Sequence, residues 1–252
     1  MRRGLAGSRA EAQEAVRAGV VTVGGVPVTK PATLVGSDVP LLVTEAARPY
    51  VSRGGGKLAA ALDRFAVPVT GRVCLDAGAS TGGFTDCLLQ RGASRVYAVD
   101  VGYGQLAWPL RTDPRVVVLE RTNIRTLSPA ALGPLPDLIV ADLSFISLGT
   151  VLAALAAFAP ATIVALVKPQ FEAGRADVGS GGVVRDPAVW RRVLEDVLGR
   201  ARKLGYAGLG VMASPLPGPA GNIEFLVHLE AGEDGPELDL DAAILEGEAL
   251  RR

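Results

Sequence analysis

Short apolar runs alternate with longer stretches of helical periodicity through most of this chain. Five runs between residues 73 and 167 are almost continuously apolar: Val73–Leu75, Arg95–Val99, Val116–Leu119, Leu138–Ala141 and Ile163–Val167. Such runs are typical of parallel strands that are covered on both faces. Two later runs, Tyr206–Ala213 and Asn222–Leu229, predict further strands, and the second alternates as an antiparallel strand does. The pattern predicts an α/β fold with a mostly parallel sheet and helices on both faces.

The first of these strands runs into a glycine-rich turn, and a helical pattern begins near Phe84, in the sequence VCLDAGASTGGFTDCLL. A strand, a tight turn and a helix hold nucleotide-like cofactors in Rossmann-like folds. The glycines are spaced GxxxGG, which is neither the dinucleotide fingerprint nor a Walker loop. Asp76 suits an amino-bearing ligand, and Asp100 at the end of the second strand can hydrogen-bond a ribose diol. These features favour S-adenosylmethionine over a nicotinamide cofactor.

Residues 1–45 are predicted to form a separate small α/β unit. Ser8 is predicted to cap a helix that runs to about Ala18, with Glu11 completing a capping box. Three short strands are predicted after it, at Val20–Val23, Val26–Thr29 and Val39–Val43. The unit is rich in basic residues, which are Arg2, Arg3, Arg9, Arg17 and Lys30. They form either a solvated surface or a contact surface for a polyanion.

Composition narrows the function classes. Acidic residues concentrate after Glu230, so residues 231–252 are predicted to be a partly disordered acidic tail on a mildly basic body. The two cysteines lack metal-ligand spacing and the chain has one histidine, so we expect neither a zinc site nor Ser-His-Asp chemistry, and no metal. No signal peptide and no membrane span is predicted, and the longest apolar run contains Pro160. We therefore expect a cytoplasmic protein, by default a monomer.

Four ionisable residues are placed where the sequence predicts a cleft. Lys57 begins the first helix after the linker of residues 46–56, Asp142 and Lys168 each follow a strand, and Glu224 lies in the last strand. The carboxyl ends of parallel strands line the ligand crevice of an open α/β sheet. Each residue alone is best explained as an ordinary surface charge, but four of them beside a cofactor turn favour catalysis. Methyl transfer to a hydroxyl needs a base, and a lysine serves when burial or a second lysine lowers its pKa.

Two sets of motifs resemble known domains. The sequence RRGLAGSRAEAQEAVRAGVVTVGGVPVTKPAT is similar to the RNA-binding domain first described in ribosomal protein S-four, although the first helix of that domain is almost entirely missing here. The motifs RPYVSRGGGKL, DAGASTGGFTD, ADLSFISL, LVKPQFE and GNIEFLVHL resemble the TlyA family, from about residue 2 to 229. That family consists of bacterial ribosomal RNA 2′-O-methyltransferases, also called hemolysin A. Their S-four-like domain is followed by an FtsJ-like, Rossmann-like class I methyltransferase domain, here predicted over residues 57–230.

The resemblance also implies roles for individual residues. A catalytic Lys-Asp-Lys-Glu tetrad falls on Lys57, Asp142, Lys168 and Glu224, with Lys168 as the base for the 2′-hydroxyl of a cytidine. The expected contacts to S-adenosylmethionine are Asp76, Gly78, Ser80, Thr81, Gly82, Gly83, Asp100, Asn123, Ile124 and Asp142. The five basic residues of the small unit are expected to bind RNA, and the expected partner is ribosomal RNA within ribosomal subunits.

Two other classes of function are weighed against this one. A non-catalytic factor for ribosomal RNA binding or assembly would need no tetrad of two lysines and two acids. A membrane-lytic hemolysin would need a span or a long amphipathic basic helix, and the sequence has neither.

Overall fold

The computed structural model describes residues 3, 5, 12–13, 15–16, 19–36, 38–43, 49–232 and 234–251. The chain divides into two compact units, residues 1–49 and 50–252. Of the predicted RNA-binding residues, Arg2, Arg9 and Arg17 lie outside the described residues. The same is true of most of the helix predicted to end at Ala18, and of residues 44–48, which include the start of the linker.

The small unit contains a three-stranded antiparallel sheet, β1 (Val21–Val23), β2 (Val26–Val28) and β3 (Leu41–Val43), in the order β2-β1-β3. Gly24 and Gly25 connect β1 to β2 and have φ values of 58° and 84°. Positive φ at both central residues is what a two-residue hairpin turn needs, and glycine adopts it without steric cost. The hairpin and the third strand lie where the sequence predicts them.

The large unit is built on a seven-stranded sheet in the order β6-β5-β4-β7-β8-β10-β9. Its strands are β4 (Val73–Ala77), β5 (Arg95–Val99), β6 (Val116–Leu119), β7 (Leu138–Ala141), β8 (Thr162–Val167), β9 (Tyr206–Ala213) and β10 (Phe225–Ala231). β4 to β8 pair in parallel, and β10 is antiparallel to both β8 and β9. The chain moves outward from β4 to β6 and then returns to β7 beside β4, so the end of β4 is the switch point where such sheets bind ligands.

The core explains why the strands are apolar throughout. Alternate residues of each strand point to opposite faces of a sheet. In β4, Leu75 packs into one buried cluster and Cys74 into another, and Ile139 and Val140 of β7 divide in the same way. Each face is therefore covered, and the predicted fold class, a mostly parallel sheet with helices on both faces, is confirmed.

The helices follow the predicted alternation with the strands. They are α1 (Gly54–Arg64), α2 (Gly83–Gln90), α3 (Trp108–Arg111), α4 (Leu148–Ala156), α5 (Pro169–Glu172), α6 (Pro187–Lys203) and α7 (Leu240–Ala249). Three short 3₁₀ turns occur at Pro129–Ala131, Arg175–Asp177 and Ser180–Gly182.

Helix α1 corrects the predicted linker boundary, because it begins at Gly54 rather than Lys57. The sequence reads GGG as a linker because glycine disfavours helices. Here a Cβ on Gly55 would lie 2.3 Å from the Tyr50 ring, and one on Gly83 of α2 would lie 2.2 Å from Ser52 Oγ. The glycines let the start of α1 pack closely against its neighbours, so close approach outweighs helix propensity.

Helix α7 lies within the acidic tail that the sequence predicts to be partly disordered, and it gives residues 240–249 of that tail a helical structure. Its Ala243, Ile244 and Gly247 are buried, and the Glu246 carboxylate accepts a hydrogen bond from Ala213 N of β9. Asp241 is exposed and Glu246 and Glu248 are partly buried, while the buried Ala243 and Ile244 belong to the same core cluster as Phe225 of β10. Net charge misled the prediction here because the few apolar residues between the acids carry the packing.

Candidate active site

The glycine-rich turn lies at the end of β4, between β5 and β7. Gly78 has φ 89°, and a Cβ there would lie 2.4 Å from the backbone oxygen of Asp142. Gly82, which precedes α2, has φ 100°, and a Cβ there would lie 2.2 Å from Leu110. Gly83 is the first residue of α2. The turn therefore brings the backbone close to β7 and α3, and only glycine fits at these positions.

Asp100 connects this turn to the end of β5. Its Oδ2 accepts from Ser80 N at 2.8 Å, and its Oδ1 accepts from Gly102 N at 2.6 Å. Ser80 itself has φ 49°, a left-handed conformation that is uncommon outside glycine. The next residue, Thr81, is exposed, and its carbonyl accepts from Ala107 N at 3.2 Å. Asp100 thus fixes the turn while its remaining lone pairs stay available to a ligand.

Asn123 and Ile124 lie in the loop after β6. The Asn123 side chain is exposed and accepts from Arg125 N, which closes a local turn. Ile124 is buried in one of the two core clusters. The described hydrogen bonds of Asn123 are local to its own loop, and none of them reaches the glycine-rich turn.

Asp76 is fully buried in β4, one residue before the strand ends. Thr85 Oγ1 donates to its Oδ2 at 2.7 Å, whereas Oδ1 has no hydrogen-bond partner among the described residues. Burial raises the pKa of Asp76 to about 7; the Thr85 hydrogen bond opposes this shift, and the negative charge of Asp142 adds to it. A buried, half-satisfied carboxyl group is suited to receive a cation.

Lys57 and Glu224 form a buried ion pair. The two side chains are 5% and 2% exposed, and Lys57 Nζ donates to Glu224 Oε2. Glu224 lies immediately before β10 rather than inside the strand as predicted, because pairing with β8 begins at Phe225. A buried charge pair of this kind costs desolvation energy and contributes little net stability.

Lys168 and Asp142 form a second ion pair, with Nζ and Oδ1 2.6 Å apart. The contact lacks the alignment of a hydrogen bond, and Asp142 Oδ1 has no hydrogen-bonded partner among the described residues. Lys168 Nζ instead donates a hydrogen bond to Ser144 Oγ at 2.9 Å. Sequence reasoning missed Ser144, although its position two residues beyond Asp142 in ADLSFISL was a usable signal.

The sheet registers place both pairs at one edge. Asp142 N donates to Ala77 O beside the glycine-rich turn. Val167 of β8 pairs with Phe225 of the antiparallel β10, so Lys168, which follows β8, and Glu224, which precedes β10, lie at the same end of these two neighbouring strands. All four residues of the predicted tetrad therefore occur as two ion pairs at the carboxyl end of the parallel strands.

An exposed aromatic ring lies beside the second pair. Phe145 is 91% exposed and has φ 64°, and its ring lies 5.4 Å from that of Phe171. A left-handed backbone at a bulky residue is strained and is characteristic of functional sites. Sequence reasoning missed this residue too, since exposure cannot be inferred from an apolar letter.

Glu172 joins the Lys168 segment to the Asp142 loop. Its carboxylate accepts hydrogen bonds from Ser147 Oγ at 2.6 Å and from Leu148 N and Gly149 N at the start of α4. A carboxylate at a helix N-terminus satisfies free N–H groups and complements the helix dipole. Glu172 therefore fixes the end of the loop that carries Ser144 and Phe145.

Two of the predicted RNA-binding residues are described in the small unit. Arg3 donates to the carbonyl oxygens of Val39 and Gly36, and Lys30 is exposed. Arg3 thus also stabilises the approach to β3.

Other chemistries find little support in the described part of the chain. Burial raises the pKa of Cys74 to about 12 and that of Cys87 to about 11, so neither is a thiolate nucleophile at neutral pH. No cluster of three or more metal-ligating side chains occurs among the described residues. Within the same ranges, no helix combines the length and apolarity needed to cross a bilayer.

Comparison with known proteins places this geometry in a family. The model of FtsJ-like methyltransferases matches residues 50–231, and that of the S4 domain matches residues 2–39. The 16S/23S rRNA (cytidine-2′-O)-methyltransferase TlyA of Mycobacterium tuberculosis is 58% identical over 237 residues, which cover 93% of this chain and 88% of the relative. This chain belongs to the TlyA family. The predicted resemblance is thereby confirmed, as is the N-terminal S-four-like domain.

Further relatives carry two kinds of name within the TlyA family. YqxC of Bacillus subtilis, a candidate rRNA methyltransferase, is 48% identical over 242 residues, covering 94% of this chain and 86% of the relative. A solved structure of a candidate hemolysin from Streptococcus thermophilus is 41% identical with a TM-score of 0.80, covering 99% of this chain and 93% of that one. The TlyA-family fold is therefore shared by proteins named as methyltransferases and as hemolysins, and the residues of the site distinguish the two functions.

Proposed function

We propose that this chain transfers a methyl group from S-adenosylmethionine to the 2′-hydroxyl of a cytidine in ribosomal RNA, within assembled ribosomal subunits. The observation that carries the proposal is the ion pair of Lys168 and Asp142, which lies where β7 and β8 end beside the glycine-rich turn. The name of the Mycobacterium tuberculosis relative supports the same reaction and the same nucleoside.

The residues of the turn fit S-adenosylmethionine. A side chain at Gly78 or Gly82 would collide with Asp142 or Leu110, so glycine keeps the turn open there. The Oδ1 atom of Asp76, which has no partner among the described residues, is suited to a positively charged group. Asp100 at the end of β5, which also accepts from Ser80 N, is the proposed acceptor for the ribose diol. When bound, S-adenosylmethionine supplies an electrophilic methyl group and no phosphate, in keeping with a turn that lacks a phosphate-binding lysine.

Lys168 is the proposed base. To act as a base, Lys168 must first lose the proton of its ion-paired ammonium to solvent. The neutral Nζ would then accept the proton of the ribose 2′-hydroxyl. Bound S-adenosylmethionine would supply the methyl group, and its sulfur would leave as the neutral thioether of S-adenosylhomocysteine. Asp142 stabilises the ammonium group that forms, and Ser144 orients it. The Lys57–Glu224 pair places a second ammonium group at the same edge of the sheet, and the Glu224 carboxylate neutralises its charge.

Phe145 is the proposed contact for the target nucleotide. A base that leaves its stack exposes an aromatic face, and stacking on an aromatic side chain contributes about 1–3 kcal/mol. The exposed ring of Phe145 follows Asp142 by three residues. A nucleobase stacked on this ring therefore lies beside Lys168, the proposed general base.

The small unit is proposed to hold structured RNA by its backbone and shape, as domains of this kind do. Lys30 is exposed for such a contact, and the remaining basic residues of that unit stay predictions. An enzyme acting on ribosomal subunits works in the cytoplasm, and we expect it to act as a monomer.

The test uses purified protein, tritiated S-adenosylmethionine and separated, unmethylated small and large ribosomal subunits. Label is expected in ribosomal RNA, and Lys168→Ala should reduce its rate about 100-fold or more, as expected for loss of a general base. Lys203→Ala, which removes an exposed lysine at the end of α6, is the matched control and should keep the wild-type rate.

Full activity of Lys168→Ala would contradict the assigned base. No label with wild-type protein that binds cofactor would favour the assembly factor, and leakage of dye-loaded liposomes would favour the hemolysin.

A further inference from the structure

The buried carboxyl group of Asp76 is only half satisfied by its own protein. It has 0% exposure, and its hydrogen bonds come from Thr85, whose hydroxyl donates to Oδ2 and whose backbone also favours the carboxylate. Oδ1 accepts no hydrogen bond from any described residue. A buried carboxylate without a cation or further donors is strongly disfavoured, so the group is driven toward its neutral, protonated form.

The charged groups around Asp76 act in the same direction. Asp142, which follows β7, and Asp100, which follows β5, both add negative charge near it. On its own strand, Cys74 is a buried thiol whose pKa is raised to about 12, so it carries no charge at neutral pH. Helix α2 contributes the Thr85 hydroxyl, which favours the carboxylate but does not offset burial. The result is a pKa of about 7 for Asp76.

We propose that Asp76 releases a proton when S-adenosylmethionine binds, so that cofactor affinity rises with pH through neutrality. The inference rests on the proposed cofactor. S-adenosylmethionine carries an ammonium and a sulfonium group, and positive charge brought to the turn after β4 stabilises the carboxylate and not the carboxylic acid. The proton passes from the Asp76 carboxyl group to solvent, and no covalent bond other than this O–H bond changes.

The direction and size of the effect follow from linkage. Below its pKa the free protein holds the proton, and cofactor binding must expel it, which weakens the apparent affinity. Affinity is expected to be about tenfold lower near pH 6 than near pH 8, because about a tenth of Asp76 is ionised one unit below its pKa. Near neutrality, about 0.5 proton should be released per cofactor bound.

Isothermal titration calorimetry with S-adenosylmethionine tests this without relying on methyl transfer. Titration in two buffers of different ionisation enthalpy gives the number of protons released, and titration across pH gives the affinity profile. Asp76→Asn should abolish the release and flatten the profile. Asp100→Asn, which changes an acid at the end of β5, should weaken binding yet keep the release.

A second variant keeps the inference testable if Asp76→Asn does not fold or bind. Thr85→Val removes the hydrogen bond that favours the carboxylate, so proton release should shift to higher pH. Wild-type binding without proton release, or release that persists in Asp76→Asn, would overturn the inference. Absence of cofactor binding at every pH would overturn both it and the proposed function. Linked binding without methyl transfer to RNA would overturn the proposed function alone.

Discussion

At the scale of single residues, Ser144 is the hydrogen-bond partner of the proposed base. Lys168 Nζ donates to Ser144 Oγ, while its contact with Asp142 lacks hydrogen-bond alignment. Ser144→Ala should therefore lower kcat about tenfold and leave KM for the subunit unchanged, because orientation of the amine is lost and binding is not. Ser144→Thr keeps the hydroxyl and should restore most of the rate.

The control for Ser144 is Ser94→Ala, which removes a hydroxyl bonded to Arg72 O just before β5, at the opposite end of the strands. It should leave both kinetic constants unchanged. A Ser144→Ala enzyme with wild-type kcat, or one whose loss appears only in KM, would contradict the assigned role.

Asp76 also makes the stability of the free protein depend on pH. Its folded pKa of about 7 lies above the ordinary value of 3.8, so its stabilising contribution is complete below the ordinary value and is lost as pH rises through about 7. Asp76→Asn should match wild type near pH 4 and exceed its Tm by several degrees near pH 8, since 1 kcal/mol corresponds to about 2–4 °C at this size. Thermal unfolding followed by circular dichroism measures both Tm values. A variant whose Tm equals that of wild type near pH 8 as well as near pH 4 would contradict this prediction.

At the scale of elements, Glu172 connects the end of α5 to the start of α4. Glu172→Gln keeps the shape but removes the charge that accepts from Ser147, Leu148 and Gly149, and should lower the free energy of unfolding by about 1 kcal/mol. The loop it fixes carries Ser144, so kcat should fall as well. Urea denaturation and single-turnover kinetics check the two effects. Unchanged stability would show that the cap contributes nothing.

The elements that sequence could predict are those with strong periodicity or turn chemistry. The parallel strands and the cofactor turn follow from apolar runs and glycine spacing, and the structure has them within two residues of the predicted bounds. The start of α1 could not be predicted, because it depends on close packing of Gly55 against its neighbours. That the tail forms the ordered helix α7 could not be predicted either, because burial of Ile244 depends on distant parts of the chain. Phe145 could not be predicted for the same reason, since the exposure of an aromatic ring depends on three-dimensional placement. Ser144 had a usable signal in its position beside Asp142, but its hydrogen bond to Lys168 could not be predicted.

At the scale of the whole molecule, one sheet edge collects the chemistry. The strand order places the turn after β4 between the ends of β5 and β7, and β8 and β10 bring Lys168 and Glu224 to the same end. The small unit adds a domain of the kind that binds structured RNA, as the match to the S4 domain indicates. The proposed function therefore assigns cofactor binding, proton removal and RNA recognition to separate parts of the sequence.

The most direct test of this account is nucleoside mass spectrometry of ribosomal RNA after incubation of unmethylated ribosomal subunits with the protein and S-adenosylmethionine. The account predicts that 2′-O-methylcytidine appears, in at most stoichiometric amount per subunit, and is absent with Lys168→Ala. Methylation on a base, methylation of another nucleoside, or 2′-O-methylcytidine formed equally well by Lys168→Ala would contradict it.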